Sequence, residues 1–215
     1  MPSEPRPLWD ARETALLLVG FQNDKFSAEG CLRGMIETPE RIDAAFAATM
    51  RLIREVVELP LQIFSTPLVF DFPTAPSKPT IRPRGMLAAI QETGALKYGT
   101  WGASLVPELE VLGDRVTTVG NRQGYNAFDE TELGSMLLAG GVRRLLISGM
   151  STSMCIDATG RAAVERGFDV VILSDCIVGR TAVEDSTYCA TVFPLYAETV
   201  TSTEALERLR GPAVA

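Results

Sequence analysis

The sequence predicts an α/β domain in which helices cover both faces of a parallel sheet. Three observations carry this. Short apolar, β-branched runs alternate with longer amphipathic stretches, as successive strand–helix units require. The 215 residues are 46% hydrophobic and 22% charged, enough apolar mass for one domain (1–215) with a sizeable core. No internal repeat or low-complexity tract interrupts the alternation.

The elements follow in order. Thr14–Val19 is an unbroken apolar run and reads as a buried first strand. A helix then opens with Thr38 as N-cap and Pro39 at its first position. It presents Ile42, Phe46, Met50, Ile53 and Val57 on one face and stops before Pro60. Leu61–Thr66 is the second strand. The stretch from Pro67 to Pro83 holds five prolines in seventeen residues with no clean period. It reads as a long excursion: a lid, an interface arm or a rigid surface loop. Arg115–Val119 is the third strand, and a helix from Thr131 to Leu138 ends at Gly140–Gly141. The fourth strand is Arg144–Gly149, followed by a helix from Thr152 to Arg166 that Gly167 ends. Phe168–Ser174 and Glu198–Thr201 are the last two strands. Helices are expected over Ala182–Val192 and Glu204–Arg210.

Composition removes several kinds of function. The formal charge is −7 and no basic cluster exceeds pairs such as Arg143–Arg144, which argues against nucleic acid. The longest apolar run, Ala15–Val19, is far too short to span a bilayer. The opening MPSEPRPLWDARE lacks the basic start and apolar stretch of a secretory signal, so a cytoplasmic protein without membrane partners is expected. The chain has no histidine, which removes Ser–His–Asp and Cys–His catalysis. It also leaves a zinc or iron centre without its commonest ligand, and no metal or other cofactor is expected. Four cysteines, Cys31, Cys155, Cys176 and Cys189, show no paired spacing, so neither a disulfide framework nor a zinc site is suggested. Chemistry here must run on carboxylates, thiols, Lys or Arg, and backbone amides.

In an open parallel sheet, ligands sit beyond the carboxyl ends of the strands, and three such segments stand out. In SGMSTSMCIDATGRAAVERG (Ser148–Gly167) a strand ends at Gly149 and Cys155 falls in the first helical turn. Unpaired amides and the positive end of the helix dipole there favour a thiolate and a developing oxyanion. A buried structural cysteine is the competing reading of the same residue. In TALLLVGFQNDKF (Thr14–Phe26) a buried strand runs into Gly20, Gln22, Asn23 and Asp24, which by default is an Asx turn. In VGNRQGYNAFDETEL (Val119–Leu133) Arg122 follows a strand, with Tyr125 and Phe128 as candidate pocket walls. A solvated loop charge is the plain reading of Arg122.

Taken together, ALLLVGFQND, YGTWGASLVPEL, GYNAFDETEL, GMSTSMCIDATGRAA and VVILSDCIVGRT resemble the isochorismatase-like hydrolases, which include nicotinamidases and N-carbamoyl amidohydrolases. The resemblance covers nearly the whole chain. It implies a three-layer αβα sandwich on a six-stranded parallel Rossmann-like sheet, and a catalytic Asp, Lys and Cys. It also implies a cis peptide between Met150 and Ser151. Carried onto this chain, Cys155 is the nucleophile. The aspartate position, just before Phe21–Gln22, is Gly20, and the lysine position, six residues before Phe128, is Arg122. Of the three lysines, Lys25, Lys78 and Lys97, none fits that slot. The histidines with which nicotinamidases bind metal are absent. Arg122 keeps a positive charge beside the thiol but cannot exchange its proton near neutral pH. Gly20 removes the proton acceptor, and a neighbouring acid such as Asp24, Asp129 or Asp175 is the substitute to look for.

The resulting expectation is a hydrolase-like enzyme acting on a small amide or related carbonyl compound. Met150, Ser151, Thr152 and Met154 belong to the cysteine loop and its oxyanion amides; Gln22, Phe26, Trp101, Tyr125 and Phe128 are assigned to the substrate pocket. Two alternatives stay open: an inactive family member used for binding or scaffolding, and a lyase, isomerase or cyclase on a biosynthetic intermediate. Assembly as a homodimer or homotetramer is implied by the resemblance, with Pro67–Pro83 as a candidate contact.

Overall fold

Residues 8–70, 84–120 and 122–210 are described by a computed structural model of the chain. In order they form β1 (Thr14–Val19), α1 (Asn23–Phe26), α2 (Glu40–Val56) and β2 (Gln62–Thr66). Then come α3 (Met86–Thr93), α4 (Pro107–Glu110), β3 (Thr117–Thr118), α5 (Leu133–Ala139) and β4 (Arg144–Met150). A π-helical turn, Thr152–Ile156, leads into α6 (Asp157–Val164). The chain closes with β5 (Asp169–Val178), α7 (Ala182–Thr187), β6 (Glu198–Val200) and α8 (Ser202–Arg210).

The strands build one sheet in the order β3-β2-β1-β4-β5-β6, every neighbouring pair parallel. The order reverses direction at β1, so the crevice between the ends of β1 and β4 is the switch point where such sheets place ligands. β1 is buried along its whole length because side chains on both faces meet helices. Leu16 and Leu18 enter one core with Ile42, Ile53 and Leu209, while Ala15, Leu17 and Val19 enter the other with Ile90, Leu137 and Ala163. This is the three-layer αβα arrangement expected of the sequence. Each fully buried valine, leucine or isoleucine among them contributes roughly 1.5–3 kcal/mol, which makes the two cores the main source of stability.

Local corrections have identifiable causes. Pro39 takes the N-cap position of α2 and Thr38 provides no side-chain cap. The buried face of α2 is wider than a single stripe, adding Ala45, Ala48, Thr49, Leu52 and Val56. Thr131 and Glu132, expected to open the helix, instead form a bend ahead of it, and Thr131 bonds back to the Ala127 carbonyl at 2.6 Å. Ala182–Val192 is an α-helix only to Thr187, after which it loosens into a π turn. β5 runs four residues past its expected end, and its register against β4 slips between Ile147 and Gly149. From Pro67 to Pro83, only residues up to Phe70 are described, so a lid or interface role for that stretch falls outside the described residues.

Gly149 makes the end of β4 possible. Its φ is +133°, and a Cβ there would drive into the carbonyl of Val19 on the neighbouring strand. Only glycine fits both the dihedral and the approach. Gly149→Ala is therefore expected to lower stability by about 3 kcal/mol, read as a lower midpoint in urea unfolding.

Candidate active site

Gly20 turns the chain sharply at the end of β1, with φ +71°. The single turn of α1 follows, and all four of its residues are buried because each finds a separate anchor. Asn23 Nδ2 donates to the Trp101 carbonyl at 2.9 Å, and the Asp24 carboxylate accepts from the Leu96 amide at 2.7 Å. Phe26 stacks on Phe21 at 4.3 Å between centroids and leans on Phe46. Just before the turn, the Gln22 amide bridges both ways to Leu68 at 2.8 Å and also donates to the Ala103 carbonyl. With its neighbours fixed in this way, Lys25 has one direction left, and its ammonium passes inward under Gly20. Its Nζ donates to the Met150 carbonyl at 3.2 Å and lies 2.5 Å from where a Cβ on Gly20 would be.

Two more strand ends complete the group. After β3, Arg122 is fully buried, its guanidinium held by the carbonyls of Thr66 (2.8 Å), Gly124 (3.0 Å) and Tyr125 (2.6 Å). After β4, a cis peptide joins Met150 to Ser151, and Cys155 follows in the π-helical turn, 3% exposed. Lys25, Tyr125, Met150, Ser151, Met154 and Cys155 line one narrow cavity, whose remaining wall is the apolar set Leu32, Leu68, Met86 and Ile90.

The electrostatics follow from burial and two cations. Burial by itself would raise the Cys155 pKa; the Lys25 and Arg122 charges, with hydrogen bonds from the Ser151 amide and from Arg122, outweigh it and hold the thiol below its ordinary value. Burial pulls Lys25 below the ordinary lysine range, the thiolate pushes it back up, and Arg122 lowers it further. Tyr125 is pushed up to about 12, by burial first and then by the thiolate. The other thiols move the opposite way from Cys155: Cys31 to about 11, Cys176 to about 12 and Cys189 to about 11, each chiefly by burial and then by a nearby carboxylate.

The residues singled out from sequence divide sharply. Gly20, Arg122, Cys155, Met150, Ser151, Met154 and Tyr125 come together around this cavity. Thr152 lies beside them but turns away, donating to Asp185 at 2.5 Å. Four residues assigned to the pocket lie outside the wall of this cavity. Phe26 belongs to the core on the opposite face, Phe128 packs on Phe168, Trp101 is about half exposed, and Gln22 is spent on backbone of the surrounding loops. The candidate substitute acids are also directed elsewhere. Asp24 faces Leu96 and Cys31, and Asp175 binds both the amide and hydroxyl of Ser202. Asp129 is absent from the cavity wall, as is every other described carboxylate.

The chain from residue 14 to residue 204 matches the family model described as the isochorismatase domain. The chain belongs to the isochorismatase family. Among curated relatives of this family member is the ureidoacrylate amidohydrolase RutB of Methylorubrum extorquens AM1, 29% identical over 191 residues, covering 81% of this chain and 74% of that one. A shorter match, 30% over 90 residues and 42% of each chain, is to the maleamate amidohydrolase of Pseudomonas putida. Solved structures share the fold: an isochorismatase family protein from Burkholderia thailandensis at TM-score 0.75 and 18% identity, covering 94% of this chain and 98% of that one, and the N-carbamoylsarcosine amidase of Thermoplasma acidophilum at 0.68 and 19%, covering 88% and 96%.

Two features of this isochorismatase-family site escape sequence reasoning. Lys25 is the first: its spacing from Gly20 gives no sign of which way a single helical turn points. The second is a clamp from α7. Glu184 accepts from the amides of Ser153 (3.0 Å) and Arg180 (2.9 Å), while Asp185 accepts from Thr152 and from the Gly179 amide (2.7 Å) and pairs with Arg41. Thus α7 fixes the cysteine loop to the exit of β5. A signal existed in T-A-V-E, Thr181 to Glu184, a helix-start pattern in which Thr181 does cap the Glu184 amide at 3.0 Å.

Reactivity should follow these charges rather than exposure. With iodoacetamide at pH 7, Cys155 is expected to label ahead of the exposed Cys31, read by peptide mass spectrometry. Lys25→Met should move the midpoint of the Cys155 labelling–pH curve upward, because a cation that stabilises the thiolate is lost. An unchanged midpoint would show that Lys25 does not act on the thiol.

Proposed function

We propose that this chain is a cysteine-dependent hydrolase of a small amide or related carbonyl compound. The observation that carries the reading is a buried thiol held low by two cations, on the wall of a cavity at the switch point of the sheet. Membership of a family whose relatives are amidohydrolases supports the same chemistry.

In this reading the Cys155 thiolate attacks the carbonyl carbon and a thioester forms as the C–N bond breaks; water then releases the acid. Arg122 is a fixed charge rather than a mobile group, since three carbonyls hold its guanidinium. It stabilises the thiolate as attacking and leaving group. The oxyanion would be held by backbone amides of the cysteine loop, of which those of Ser153 and Met154 are already engaged, by Glu184 and by the Ser151 carbonyl. Tyr125 keeps its phenol proton at neutral pH and offers a hydroxyl donor on the cavity wall.

The walls narrow the substrate. Leu32, Leu68, Met86 and Ile90 suit a short apolar segment next to the reacting carbonyl. Beyond Met86, Ser151 and Met154 the surface opens into an outer groove that carries Arg84 and Arg180 beside Glu184. A substrate with a carboxylate tail would meet two guanidinium groups there.

A panel of small amides, each with and without a terminal carboxylate, tests this directly. Turnover is expected to favour the carboxylate-bearing members and to vanish in Cys155→Ala, with an acyl adduct on Cys155 trapped by acid quench and found by mass spectrometry. Turnover that survives Cys155→Ala, or no acyl adduct on Cys155 with any amide or with an activated ester, would remove the hydrolase reading. Saturable binding without an adduct would then favour a binding role.

A further inference from the structure

The thiol needs somewhere to send its proton, and the cavity offers few destinations. The chain has no histidine, and no described carboxylate lines the cavity. Arg122 is pinned by three carbonyls and retains its proton. Tyr125 has a phenol too weakly acidic to cycle near neutral pH. The remaining titratable group is Lys25, 4% exposed, on the cavity wall with Cys155.

Two features of its placement distinguish it from a lysine that merely lies nearby. Its Nζ occupies the space directly beneath the bare backbone of Gly20, 2.5 Å from where a Cβ would stand, so a side chain at that position would displace the amine. It also sits in an apolar setting with one carbonyl contact to Met150 and another cation close by, the setting in which a lysine gives up its proton most readily.

From this geometry we infer that Lys25 is the catalytic acid–base of the site, passing one proton between Cys155, the leaving amine and the attacking water. The inference rests on the reading of Cys155 as a nucleophile and supplies the proton path that reading lacks. The steps balance. The thiol proton resides on Lys25, leaving thiolate and ammonium. The thiolate attacks the carbonyl carbon and forms the C–S bond. As the C–N bond breaks, the Lys25 ammonium gives its proton to the departing nitrogen, leaving a thioester, a free amine and neutral Lys25. Neutral Lys25 then takes a proton from water as its oxygen attacks the thioester. The C–S bond breaks, the acid leaves, and thiolate and ammonium are restored.

An inert role for Lys25, as a fixed charge supporting the thiolate, makes a different prediction, and p-nitrophenyl acetate separates the two. This ester acylates a thiolate without needing a proton for its leaving group, whereas hydrolysis of the resulting thioester needs a base for water. Lys25→Arg keeps the charge and loses the proton exchange. It is expected to retain the fast p-nitrophenol burst on Cys155 and to slow deacylation about 10²–10⁴-fold. Should arginine not fit, Lys25→Ala leaves room for a small amine. Methylamine or ethylamine should then restore deacylation in proportion to the free-base fraction, with acetate rather than the N-alkylacetamide as product. Deacylation by Lys25→Arg at the natural rate overturns the assignment, as does an amine effect that yields only the amide. A natural protein that forms no Cys155 thioester overturns the nucleophile reading instead, so the two failures are distinguishable.

Discussion

A thiol and two cations share one water-poor crevice, and much of the surrounding structure exists to hold them there. Buried cations are costly unless their donors are met and a negative partner lies close. Arg122 satisfies the first condition with three carbonyls drawn from the end of β2 and the loop after β3. Lys25 has the Met150 carbonyl, contributed by the end of β4. The negative partner they favour is the thiolate form of Cys155, whose pKa both cations lower. Remove the thiolate and two like charges face each other under the sheet; remove a cation and the thiol returns toward its ordinary acidity.

The backbone around the crevice meets this requirement by close approach. Gly149 lets β4 come against Val19, and Gly20 leaves the space that the lysine amine fills. α1 is too short to be stable as an isolated helix, and it holds its shape because Gln22, Asn23, Asp24 and Phe26 are each tied to a different part of the molecule. α7 does the same for the cysteine loop through Glu184 and Asp185. The site is therefore rigid through tertiary contacts, as a group that must hold a charge pair in fixed geometry needs to be.

The same contacts explain which assignments moved. Phe26 and Phe128 look like pocket walls in a linear motif because they lie beside polar residues in the right segments. Yet Phe26 is one residue beyond an inward lysine on a single helical turn, so its ring faces the other core. Gln22 lies deep in the site region, but all of its side-chain capacity goes to the loops of Leu68 and Ala103. Asp24, the nearest acid along the chain, is held away by the Leu96 amide. Adjacency in sequence says little about direction within a one-turn helix.

The sequence by itself determined the layers of the fold, because the periods of apolar residues along strands and helices are local and need no partner to be read. All six strands were legible to within two residues at their starts, and β1 at both ends, since burial on both faces leaves an unmistakable apolar run. It also placed Cys155 just after the fourth strand, at the carboxyl edge of the sheet, while the glycine and the arginine near it were implied by resemblance to the family. Only the tertiary structure decided what those residues do together. Whether Lys25 points to solvent or under Gly20 depends on anchors 40 or more residues away in sequence, such as Leu68, Leu96 and Trp101. Charge coupling depends on distance and on exclusion of water, and neither is written in the order of residues along the chain.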